Sequence, residues 1–100
     1  MKPTQQPEQF RAILRQHLPE LAEQYGIASL GLFGSHVRQE ARPDSDLDVL
    51  VGFHKVPGLL RYIELENYLG QLLGIRVDLV MADALKRRIR QQVLQEVVPV

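Results

Sequence analysis

The segment Asp46-Leu47-Asp48-Val49-Leu50-Val51-Gly52-Phe53 constrains this chain most. Its branched residues favour a strand. Successive side chains in a strand alternate faces, so Asp46 and Asp48 share one side while Leu47, Val49 and Val51 share the other. Only a sheet that is buried on one face and open on the opposite face accommodates that pattern. The two acids would have Cα atoms about 6.6 Å apart, two strand rises. At an effective dielectric of 20 their repulsion is about 2.5 kcal/mol. Something positive must answer it.

The rest of the chain supplies the covering layers. Phe10, Ile13, Leu14, Leu18, Leu21 and Tyr25 recur at helical spacing up to Gly26, with Pro19 expected to kink or restart that helix. Ile27–Phe33 reads as a strand, and a short helix is expected from Ser35 to about Glu40. Leu59–Leu73, ended by Gly74, is a second long amphipathic helix. Ile75–Met81 is a third strand. Asp83 is expected to cap a last helix striped by Leu85, Ile89, Val93 and Val97. The order implies a small α/β fold, a three-stranded mixed sheet covered by helices. In 100 residues about two-thirds of the extended surface can be buried, enough for one modest core. We expect residues 1–6 to be disordered and residues 7–100 to form a single domain.

Twelve Lys plus Arg offset twelve Asp plus Glu, so no global field draws the chain to nucleic acid or membrane. Zero cysteines exclude disulfides and thiolate chemistry and fit a reducing, cytoplasmic compartment. No apolar run approaches the roughly 18 residues of a membrane span. Any charge-driven function must therefore be local.

Asp78, in Arg76-Val77-Asp78-Leu79-Val80, again has the opposite parity to its apolar neighbours. If its strand lies beside the first acidic one, three carboxylates converge. An all-oxygen set without cysteine or paired histidine suits a hard cation such as Mg²⁺, which commonly completes its shell with substrate phosphate. The plainer alternative makes Asp46 a turn residue, Asp48 a solvated strand residue and Asp78 a partner of Arg76. Gly34-Ser35, where a strand gives way to a helix, offers backbone N–H groups and a hydroxyl to phosphate, or simply caps a helix. It has neither the lysine of a Walker A loop nor the Gly-x-Gly-x-x-Gly of a dinucleotide fold. Ser35 and Asp46 are 11 positions apart, with Arg38 and Arg42 between them. An antiparallel return across that gap brings the phosphate turn beside the acids.

Gly34-Ser35-x-x-Arg38, Ser45-Asp46-x-Asp48 and Asp78 in a Val-Asp-Leu-Val strand together resemble the DNA polymerase β-like nucleotidyltransferase superfamily. More narrowly, the chain is similar to the minimal nucleotidyltransferases, the MNT or MntA-like antitoxins, from about Leu18 onward. The resemblance implies a polymerase β-like palm. It implies catalytic and metal-binding roles for Asp46, Asp48 and Asp78, with two Mg²⁺ ions present alongside nucleotide. It implies nucleotide contacts at Gly34, Ser35, Arg38 and Ser45. Gln39 departs from the family, which usually has glycine there. The implied partners are ATP or another nucleoside triphosphate and a HEPN-type toxin, which such antitoxins neutralise by transferring AMP to a tyrosine or by tight binding. A non-catalytic module that sequesters a toxin is the competing reading.

Lys86-Arg87-Arg88-Ile89-Arg90 puts four cations in five residues, read first as a solvated face. The apolar tail Val97-Val98-Pro99-Val100 is available to extend a sheet edge. His36 is expected to be an exposed helix-start residue.

Overall fold

A computed structural model describes residues 7–100, so the expectation for residues 1–6 lies outside the described residues. The elements run α1 (Pro7–Tyr25), β1 (Ile27–Phe33), β2 (Leu47–Phe53), α2 (Leu59–Leu73), β3 (Val77–Met81), a 3₁₀ turn (Ala82–Ala84), α3 (Arg87–Glu96) and β4 (Val98–Pro99). The sheet order is β3-β2-β1-β4. β2 runs antiparallel to β1 and parallel to β3, with α2 as the crossover that a parallel pair requires.

Leu30 and Leu32 of β1, Leu47, Val49 and Val51 of β2, and Val77 and Leu79 of β3 are buried on one sheet face. Phe10, Leu14, Leu21 and Tyr25 of α1 and Leu65, Leu69 and Leu73 of α2 pack against them. Full burial of each such side chain is worth about 2 kcal/mol. A one-residue slip of β2 would send Leu47, Val49 and Val51 to water and drive the intervening acid into the core. The alternation therefore fixes the face on which the acid stands.

Among the described residues the sheet has four strands rather than the expected three. β4 pairs through Gly31↔Pro99 and Leu32↔Val98, and Val100 N–H donates to Leu30 O at 2.9 Å. Arg11 and Arg15 of α1 clasp it, each donating from Nε to the carbonyl oxygens of Pro99 and Val100 at 2.9 and 3.0 Å. A side chain at Gly31 would have a Cβ 2.6 Å from Val97 Cγ2, so the close approach of this segment depends on glycine there. Two residues, one of them proline, carry no period-two signature, and proline is tolerated only at such an edge.

Four local expectations are corrected. α1 runs unbroken through Pro19, which lies on the exposed side, as does Arg15, whose carbonyl loses its amide partner. Asp83 does not cap α3: it is almost fully exposed in the 3₁₀ turn, 3.7 Å from Arg90, and α3 begins at Arg87 without a side-chain cap. Of the expected stripe only Val93 is buried, and Ile89 is exposed, so α3 covers little of the sheet.

The fourth bears on the site. Ser35–Gln39 form a turn, not a helix. Glu40 N–H donates to Ser35 O at 2.8 Å and Gln39 N–H to His36 O at 3.3 Å, the paired bonds of a Schellman closure. Gln39 occupies the left-handed position at φ 61°, the only non-glycine among the described residues with positive φ. The family's glycine would sit there without strain. Gln39→Gly is accordingly expected to raise stability by about 1 kcal/mol, read as a rise in Tm. An unchanged or lower Tm would show that the turn does not hold this conformation.

Candidate functional site

The site begins at the register of the strands. Asp48 of β2 is directly opposite Asp78 of β3, and Phe33, the last residue of β1, is opposite Asp48 on the other side. Paired residues on neighbouring strands project to the same face, so both carboxylates stand opposite the main core. Asp46 precedes β2 by one residue and lies close enough to add its charge to Asp48.

Gly34 follows β1 with φ 84° and is buried against the same carboxylate. A Cβ on Gly34 would overlap Asp48 Oδ2 and lie 2.9 Å from its Cγ. The turn and Asp48 are thus in contact, as the antiparallel return predicts. The wall beyond is α3, whose Gln92, Val93 and Glu96 join Phe33, Gly34, Arg38 and Asp48 around a cavity of about 480 Å³.

Electrostatics mark Asp48 as the strained member. Its carboxyl is pushed from 3.8 up to about 6, first by burial and then by the negative charges of Asp78 and Asp46 and a hydrogen bond shared with Asp78. His36 pulls the other way. Among the described residues the cation that pairs with these acids is Arg76, whose Nε is 3.9 Å from Asp46 Oδ1 with both side chains well exposed. Such a surface pair contributes little.

This strain predicts a pH dependence. The native carboxyl keeps its proton up to about pH 6, whereas the unfolded one releases it near 3.8, so native stability falls as pH rises through that window. Asp48→Asn has no charge to release. It should exceed the wild type by about 1–2 kcal/mol above pH 6, a figure discounted for partial exposure, and match it below pH 4. Urea unfolding at both pH values in EDTA checks this, and a difference independent of pH would show that the carboxylate is unstrained.

The remaining expected residues divide. Ser35 is half-buried in the turn beside Gly34. Arg38 reaches the cavity, and Glu40 and then Glu96 hold its guanidinium charge more firmly than usual. Ser45 turns inward: its Oγ accepts Arg42 N–H at 2.9 Å and its carbonyl meets His36 Nε2 at 3.2 Å. It shapes the loop that delivers Asp46. His36 is half-buried rather than exposed, edge-on to Phe10 with ring centroids 6.1 Å apart.

Glu96 is the residue that sequence reasoning missed. Its Oε2 accepts Gly34 N–H at 2.8 Å, and Arg38 Nη1 donates to both its oxygens at 3.1 Å. No local signal links positions 34 and 96.

The acids suit a divalent cation in chemistry: all donors are oxygen, and their mutual repulsion is relieved by positive charge. Among the described residues, however, no three acids or histidines are already closed around one point that would hold an ion. Also among the described residues, no helix is long and apolar enough to cross a membrane.

Comparison with known proteins places the chain by family and fold. The protein adenylyltransferase MntA of Thermococcus cleftensis is 54% identical over 91 residues, 91% of this chain and 92% of that protein. A solved chain described as a minimal nucleotidyltransferase superposes with a TM-score of 0.78 at 40% identity, covering 99% of this chain and 100% of that one. The MNT antitoxin fold also appears in a complex with tri-AMPylated Shewanella oneidensis HEPN toxin. That match has a TM-score of 0.59 at 23% identity over 92% of this chain and 66% of the other, a likeness of fold. Residues 14–100 match the model of the nucleotidyltransferase domain, and the chain belongs to that family of nucleotidyltransferases.

Proposed function

We propose that this chain transfers AMP from ATP to a hydroxyl, a tyrosine of a HEPN-type toxin, and acts in the cytoplasm as the antitoxin of that pair. The observation that carries the reading is the contact of Asp48, in register with Asp78, with the Gly34 turn, an arrangement that would put acids beside groups able to donate to phosphate. The adenylyltransferase name of the Thermococcus relative supports AMP as the transferred group. The AMPylated HEPN toxin in the Shewanella complex supports the class of acceptor.

In this reading Gly34 N–H, Ser35 and the Arg38 fork take the β and γ phosphates. Ser45 holds the loop that leads into Asp46. Asp46 and Asp48 would hold two Mg²⁺ ions and Asp78 one of them; when bound, those ions supply charge neutralisation around the α-phosphate and the departing pyrophosphate. The acceptor oxygen attacks the α-phosphorus, the new P–O bond forms as the α–β bridging bond breaks, and pyrophosphate leaves. Asp78, exposed where Asp48 is half-buried, accepts the hydroxyl proton. Holding the reactants in line is the larger part of the catalysis.

The test is incubation of the chain and a HEPN-type toxin with ATP labelled at the α-phosphate and with Mg²⁺. Label on a toxin tyrosine, with release of pyrophosphate, is expected. Its absence from the toxin, with both proteins folded, overturns the reading.

A further inference from the structure

The groups assigned above to nucleotide phosphate are already engaged by an acid of the protein itself. Glu96 lays one carboxylate oxygen 2.8 Å from Gly34 N and both oxygens 3.1 Å from Arg38 Nη1. Its side chain is only 24% exposed and shares the cavity with Asp48, a second acid. It is also the last residue of α3, where the helix dipole disfavours negative charge. Neither neighbour favours an acid there; Gly34 N–H and Arg38 do. A carboxylate that meets an amide and a guanidinium in this way reproduces two oxygens of a phosphate.

We propose that Glu96 is an intramolecular stand-in for nucleotide phosphate, a latch that a triphosphate must displace and that thereby sets the nucleotide affinity of the site. The proposal rests on the reading that Gly34 and Arg38 hold phosphate. The latch is carried by the segment that continues into β4, whose two register pairs lock α3 to the edge of β1. Only molecules with Glu96 swung away are competent to bind, so the observed affinity is the intrinsic affinity reduced by the open fraction.

Calorimetric titration with AMP-PNP and Mg²⁺, and separately with inorganic tripolyphosphate, tests this on wild type, Glu96→Gln, Glu96→Ala and Arg38→Ala. Both Glu96 variants should bind each probe about tenfold more tightly, the worth of one charge-assisted contact removed from competition, and Arg38→Ala should bind more weakly. In the absence of any nucleotide, the Gly34 amide proton resonance should move upfield in Glu96→Ala as its acceptor is lost. Unchanged or weaker binding in both Glu96 variants, with Arg38→Ala still impaired, overturns the latch and leaves the phosphate site standing. Unchanged binding in Arg38→Ala as well overturns the phosphate site itself, and the latch with it. An unmoved Gly34 amide also overturns the latch. Glu96→Gln, which keeps the size of the side chain and one acceptor, carries the test if Glu96→Ala does not fold.

Discussion

Asp48→Asn should lower nucleotidyl transfer by about 10³-fold or more while leaving the fold intact. The substitution preserves shape and removes one negative charge from the centre of the site, where Asp48 is in register with Asp78 and in contact with the Gly34 turn. Removing one preorganised electrostatic partner of a developing charge typically costs about 10²–10³ in rate, and loss of a cation ligand adds to that. The same variant is expected to be more stable at neutral pH, because the wild-type carboxylate is held against its neighbours' charges. Stability and activity therefore move in opposite directions, which separates this outcome from simple misfolding. The initial rate of label transfer at saturating ATP, beside a urea unfolding curve, measures both. A rate within tenfold of the wild type would show that Asp48 is not part of the reacting centre.

Gly34→Ala should be damaging in two ways. Alanine at φ 84° costs about 1–2 kcal/mol, and its methyl group would overlap Asp48 Oδ2, so either the turn or the acid must shift. A displacement of about 1 Å at a reacting centre is worth roughly 10²-fold in rate. Loss of about 1–3 kcal/mol of stability together with that fall in rate is the expected result. Here stability and activity fall together, in contrast to Asp48→Asn. A fully active Gly34→Ala protein would remove the Gly34 backbone from the site.

Much of the fold follows from local rules. The helical stripes of Phe10 to Tyr25 and Leu59 to Leu73, and the strands β1 and β2, appear where the sequence pattern places them. The failures have physical causes as well. Pro19 is tolerated because solvent lies on its side of α1. Asp83 looks like a cap, yet the chain first makes a 3₁₀ turn, and the helix starts four residues later. Ser35 to Glu40 has the composition of a helix start, but a Schellman closure with Gln39 in the left-handed region ends it within one turn.

The split between the two kinds of information runs through the site itself. That Asp46 and Asp48 stand opposite Leu47, Val49 and Val51 is a property of any strand with this alternation and is readable without coordinates. Which residue meets Asp48 across the sheet is not, because that register depends on how α2 packs and where it returns the chain, and it proves to be Asp78. Glu96 reaches Gly34 across 62 positions of chain, held there once Val98 and Pro99 pair with β1. Side-chain parity is written residue by residue, whereas partnership between distant residues comes into being only when the whole core has packed.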